Sequence, residues 1–199
     1  AKRRLAILKE ELKKLPGIKA VATSGAVPGG GHNWGADVRK KGDELSEIKL
    51  AEVVWVDPDF IPLYGVSFAA GRNFDPDLQS DASAAIINET AVKVLNLGTP
   101  EQALEQQLIL EQDTAQIIGV LKDYNWNSLK TEFTPFIFLK DAIVPLNISV
   151  QLSSGQLSSS VETIGDIYKG LIPDEAYDYY FLDEAFNAQY KSDVQFGKS

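Results

Sequence analysis

Leu5, Leu8, Leu12 and Leu15 place apolar residues three and four apart, the period of an amphipathic helix, while Lys9, Glu10, Glu11, Lys13 and Lys14 fill the other faces. The spacing predicts a helix over 3–15, supported by an i,i+4 pair of Glu10 with Lys14 and stopped by Pro16-Gly17. A strand is predicted at 18–27 and a short one at 37–41. At 48–56 the run Val53-Val-Trp-Val reads as a strand buried on both faces. Asp57-Pro58 then reads as the N-cap and first position of a short helix that Pro62 limits and Gly65 ends.

Brief strands follow at 66–70 and 84–87, with Asn88 capping a helix that ends near Leu95 and a helical turn at 99–104. Residues 107–111 and 116–122 flank Asp113 as a hairpin. Strands are predicted at 136–139 and, from the alternation of Ile148, Val150 and Leu152, at 147–152. Ser159-x-x-Glu162 has the form of a capping box opening a helix to Leu171, with Val161, Ile164, Tyr168 and Leu171 as its stripe. A strand at 177–182 and the start of another helix at Asp183 complete the pattern. The helix–proline–strand order of 3–27 recurs at 159–182. This predicts an α+β fold in which one discontinuous lobe, 1–57 with 143–199, brackets an inserted, mainly β lobe at 58–142.

Composition narrows the function. The 199 residues are 44% hydrophobic and 24% charged, enough for a packed core without staples. The net charge of −9 and the absence of any basic cluster beyond Lys2-Arg3-Arg4 argue against nucleic acid as a partner. With no Cys, disulfides, thiolate metal sites and cysteine nucleophiles are excluded. No run approaches the ~18 apolar residues of a membrane span. There is no Met, even at position 1, which leads us to expect a piece of a larger protein or one that has lost a leader.

The candidate chemistry is sparse. Pro28-Gly-Gly-Gly-His-Asn-Trp-Gly35 is glycine-rich but lacks the Gly-Lys-Ser/Thr ending of a phosphate loop. Its alternatives are an exposed loop or a partner contact through Trp34, a residue type favoured at hot spots. His32, the only histidine, has no partner for a metal site or a triad. Asp75, Asp77, Gln79 and Asp81 alternate like a calcium loop, but Ser80 and Ile86 stand where that motif needs Gly and Glu. Asp57, Asp59, Asp183 and Glu184 could pair for glycoside chemistry, yet Asp57 and Asp59 have simpler roles at a helix start. Arg72 is expected to pair with a nearby acid or backbone carbonyls. No catalytic group, cofactor or metal is read from the sequence. The partner-contact residues are Trp34, His32, Tyr124 and Trp126; the last two stand in the polar-aromatic run Asp123-Tyr-Asn-Trp, whose favoured reading is packing at the junction between the two lobes.

Several segments in order carry a resemblance: Val56-Asp-Pro-Asp-Phe-Ile-Pro-Leu-Tyr-Gly-Val, Gly71-Arg-Asn-Phe, Ala85-Ile-Ile-Asn-Glu-Thr-Ala-Val, Ile118-Gly-Val-Leu-Lys-Asp-Tyr-Asn and Pro135-Phe-Ile-Phe-Leu. Together, over about 5–196, they resemble the MacB-like periplasmic core domain of FtsX-like permeases in ABC transporters. Glu105 departs from the pattern, which usually has Gly there, and 29–50 matches poorly. The resemblance implies a porter-like lobe with an inserted, sabre-like β lobe, held between two transmembrane helices at the periplasmic face of a bacterial inner membrane. It implies a second permease copy and a cytoplasmic ATP-binding subunit as partners, with an adaptor, lipoprotein or export substrate outside. The expected role is non-enzymatic mechanotransmission. The alternatives are a free-standing periplasmic binding module for peptide, lipoprotein or glycan, using the Trp34 loop and 177–180, and an acid-dependent hydrolase using Asp57 and Asp59.

Overall fold

The computed structural model describes residues 2–30, 34–124, 133–140, 147–153 and 157–184. Helix α1 (Lys2–Lys13) leads into β1 (Ile18–Ser24), β2 (Trp34–Lys40) and β3 (Lys49–Val56). The short helix α2 (Phe60–Tyr64) precedes β4 (Phe68–Gly71), β5 (Ala84–Asn88), α3 (Glu89–Val94) and α4 (Pro100–Ala103). Then come the hairpin β6 (Gln107–Leu110) and β7 (Asp113–Leu121), then β8 (Phe136–Lys140), β9 (Asn147–Leu152) and α5 (Leu157–Leu171).

The strands form one sheet, ordered β2-β6-β7-β5-β8-β3-β1-β9, with β4 paired to β7 and β2 paired a second time, to β3. That last pairing joins the first strand of the order to the sixth, so β2, β6, β7, β5, β8 and β3 close a ring. Each of the six contributes side chains to one buried cluster: Val38, Val53, Ile87, Leu108, Ile117 and Ile137 among them. Closure removes the free edges of these strands and makes their inward face a dry core. Helices α3 and α4 pack against the same cluster through Val92, Leu95 and Ala103. The opposite parity faces outward. Val54, Val56, Ile86, Phe136 and Phe138 pack beneath α2 in a second cluster centred on Phe60.

Outside the ring, β1 touches β3 through the single register pair Ser24↔Val56 and pairs along its length with β9. Helices α1 and α5 cover these two strands, and Leu8, Leu12, Val21 and Ile164 form the third cluster. The leucine stripe of α1 and the alternation of β9 therefore face the core predicted for them.

Three local expectations are corrected. The segment 177–182 makes no strand; instead Tyr177 stacks on Tyr168 at 5.3 Å and on Tyr179 at 5.4 Å, with its ring against Gly165 of α5. Ser159 lies inside α5, its carbonyl accepting from the Thr163 hydroxyl at 2.9 Å, so it does not cap the helix. Lys14 pairs with Glu11 at 2.7 Å, in place of Glu10. Glu105 sits in an ordinary turn after α4; the left-handed non-glycine positions are Asn96 and Glu111. The helix expected from Asp183 starts among Leu182, Asp183 and Glu184, and its continuation lies outside the described residues.

Arg72 and Asp81 tie the loop after β4 to the start of β5. Two parallel hydrogen bonds of 2.7 and 2.8 Å join the guanidinium to the carboxylate, which also accepts from the Asp75 amide at 2.8 Å. The Asp81 side chain is only 1% exposed. The alternating acids at 75–81 are thus spent on the fold: Asp81 on Arg72, and Asp75 on the amide of Asp77. The Arg72 bonds hold the Asp81 carboxyl below the usual carboxylate range, against the opposing effect of burial. A depressed folded pKa means that the stabilisation is present above the unfolded value near 4 and is lost as pH falls through the folded one. The melting temperature is therefore expected to drop below about pH 4 more steeply in the wild-type chain than in Asp81→Asn. Thermal melts between pH 2 and 6 check this; parallel curves would remove Asp81 as a source of acid sensitivity.

Candidate functional site

Two constellations stand out from the fold. The first anchors α1. Lys9 lies on the helix face beside the leucine stripe, one turn from Lys13, so both ammonium groups reach the same spot. Lys9 Nζ lies 2.6 Å from Asp57 Oδ2 and 2.7 Å from Asp59 Oδ2, and Lys13 Nζ lies 2.9 Å from the same Asp59 oxygen. Asp57 Oδ2 also accepts from the Thr23 amide and hydroxyl, each at 2.7 Å, and Oδ1 accepts from the Asp59 amide at 3.0 Å. The side chains of Lys9 and Asp57 are 13% and 6% exposed. This corrects the N-cap expectation: Asp57 shapes the turn before α2, but its main engagement is with α1 and β1. The helix begins only at Phe60 and has no side-chain cap from Asp59. Burial opposes the charge on Lys9, yet the two carboxylates outweigh it and raise the pKa of its ammonium group. For Asp59, partial burial is likewise outweighed by Lys9 and Lys13, and its carboxyl is held below the usual range.

The second constellation is a notch on the outer face. Phe60, Ile61 and Tyr64 from α2 and Phe136 and Phe138 from β8 line it, with Leu121, Lys122 and Tyr124 at the end of β7 and Pro28 opposite. It encloses about 20 Å³, room for about one water. Tyr64 shares a 2.8 Å hydrogen bond with Ser149 Oγ of β9, and burial pushes its phenol up to about 12. Beneath Tyr124, Asp123 is fixed by the Asn88 side chain at 3.0 Å and by the amide and hydroxyl of Thr90, each at 2.9 Å. Asn88 caps α3 as expected, accepting from Ala91 at 3.0 Å, and the same oxygen accepts from the Phe136 amide at 2.9 Å. Asn88 and Asp123 together fasten β5, α3, β8 and the segment after β7.

The model of the MacB-like periplasmic core domain family matches residues 2–165. The chain belongs to that family. Three solved structures share the fold of this MacB-like domain. The periplasmic region of MacB from Actinobacillus actinomycetemcomitans is 14% identical with a TM-score of 0.60, over 83% of this chain and 73% of that one. The extracellular domain of the noncanonical ABC-type transporter YknZ from Gram-positive bacteria is 18% identical with a TM-score of 0.61, over 82% and 81%. A domain described as that of a permease protein from Porphyromonas gingivalis is 16% identical with a TM-score of 0.57, over 87% and 71%. No curated protein matches the chain.

In the MacB-like domain the sequence-derived contact residues fall on two surfaces. Trp34 is 43% exposed and meets Trp55 edge-on at 5.3 Å, and Trp55 packs against the ring interior. Tyr124 lines the outer notch. His32 and Trp126 lie outside the described residues. Among the described residues, no group of three or more His, Asp or Glu side chains is arranged to hold a metal ion. Also among them, no helix is long and apolar enough to cross a membrane. The α1 anchor was not read from the sequence, because Lys9 and Asp57 are 48 residues apart and nothing local links them. The notch could have been sought in the aromatic spacing of Phe60, Tyr64, Phe136 and Phe138.

Proposed function

We propose that this domain is the extracytoplasmic part of an ABC-type permease and passes movement from the membrane to whatever it holds outside. In this reading residues 1–57 and 143–199 form the porter-like lobe and 58–142 the inserted, sabre-like one. Helices α1 and α5 with β1 and β9, which share a core, belong to the first lobe, and β2 and β3 carry that lobe into the ring. The observation that supports the reading best is the anchor at Asp57. A helix held only by an apolar stripe can slide along its groove, whereas a nearly buried, fully bonded charge cluster moves only with the body around it. A displacement of α1 is then delivered to β1, the turn before α2 and the ring as one rigid movement. The driving partners are a second permease copy and a cytoplasmic ATP-binding subunit. An adaptor, lipoprotein or export substrate is the partner outside, with Trp34, His32, Tyr124 and Trp126 as contact residues.

These 199 residues contain no Cys, so the labelled positions are the only cysteines the domain itself contributes. Spin labels at Ala6→Cys and Gln112→Cys, both exposed, are placed in the full-length permease reconstituted with its ATP-binding subunit. The distance within one copy is expected to stay constant between nucleotide-free and ATP-bound states, while the distance between the Gln112 positions of two copies changes. A nucleotide-dependent change within one copy, or none between copies, rules out rigid transmission.

A further inference from the structure

The geometry points to the outer notch as a docking point for one apolar side chain of a partner peptide that carries a carboxylate beside it. Size decides the kind of ligand. The enclosed part of the notch, about 20 Å³, admits a terminal group and not a whole ligand. A shallow notch floored by Phe60, Phe136 and Phe138 and rimmed by Tyr124 instead suits the tip of a single anchor side chain, with the rim excluding water around it.

Charge decides what stands next to the anchor. Lys9, Lys13, Lys14 and Lys93 each lie within 4 Å of a carboxylate. Lys122, which lines the notch, makes no ion pair among the described residues and is exposed. Lys19, Lys40, Lys49 and Lys169 are likewise without an ion pair among the described residues, so what distinguishes Lys122 is its place at the notch. The nearest acids, Asp123 and Glu89, are already engaged, Asp123 with Asn88, Thr90 and Lys93 and Glu89 with the Asp123 amide. The rim is also held ready. Asp123, between Lys122 and Tyr124, is bonded to Asn88 and Thr90, so little ordering remains when a partner arrives. Tyr124 hydrogen-bonds to no described residue, and burial raises its pKa, which keeps its hydroxyl a neutral donor for the peptide backbone. The proposal stands apart from the transmission reading, since a domain that moves nothing could hold a peptide this way.

The test titrates the isotope-labelled 199-residue chain with N-acetyl-leucine, its neutral amide N-acetyl-leucinamide, and the cationic leucinamide. The amide signals of Leu121, Tyr124 and Phe136 are expected to shift saturably. N-acetyl-leucine should reach half-saturation at about a tenfold lower concentration than its amide, the size of one charge-assisted contact. Lys122→Gln, an exposed change that leaves the melting temperature in place, removes that preference, and Tyr124→Ala weakens both ligands. Equal response to all three probes, or no saturable shift, overturns the proposal. So does a shift produced by concentrating the chain alone, which would make a second copy the occupant.

Discussion

Asp57→Ala is expected to lower the unfolding free energy by about 3–5 kcal/mol, the cost of removing one partner from a buried ion pair. The loss has named parts. Lys9 keeps its charge with only the half-exposed Asp59 to face it, and the amides of Thr23 and Asp59 lose their acceptor. Urea denaturation of wild-type and variant chains measures the difference, and a loss under about 1 kcal/mol would show that water replaces the carboxylate easily. A double-mutant cycle with Lys9→Met separates the pair from the rest. Coupling above about 0.5 kcal/mol is expected because the two groups are in direct contact. The depressed carboxyl of Asp59 sets the pH sense of the cluster: its share is full at neutral pH and fades as acid protonates it.

Phe60→Ala is expected to cost about 3–5 kcal/mol, the range for a large aromatic deleted from a core. Phe60 is fully buried, with its ring centroid 4.6 Å from that of Tyr64 and 6.3 Å from that of Phe138. Its neighbours come from β1, β3, β5, β7 and β8, which are fixed by ladder hydrogen bonds and cannot collapse into the space left. Phe60→Leu fills most of that space and should cost less than about 1.5 kcal/mol. Chemical denaturation of both variants checks the ratio; similar losses for the two would mean that ring stacking, not volume, holds the cluster.

Local chemistry was legible where one element decides its own form. The leucine period of α1, the alternation of β9 and the cap at Asn88 each depend on neighbours in sequence, and each stands where expected. Arg72 was expected to meet an acid, and Asp81 is nine residues away. Misreadings came where distant residues compete for the same group. Asp57 looks like a cap until Lys9 and Thr23 arrive to claim it. Residues 177–182 read as a strand, but the rings of Tyr177, Tyr179 and Phe181 find α5 and each other before any ladder partner. Ring closure was invisible because it rests on β2 bonding two partners at once, and nothing in Trp34–Lys40 says that both of its edges are taken.

The junction between β1 and β3 has a consequence for how the molecule tolerates change. Among the described residues, Ser24↔Val56, the Gly25 amide on the Trp55 carbonyl at 2.8 Å and the Asp57 amide on the Thr23 carbonyl at 3.0 Å bridge the two strands, with α2 and the Asp57 cluster beside them. Extra residues inserted at Gly42 or at the Glu111 turn would enlarge the far side without altering how α1 grips this crossing. A single residue inserted between Asp57 and Asp59, within the turn that carries both carboxylates, would break the grip without shifting the register of β1 or β3, and would yield a folded molecule whose first helix no longer steers the rest.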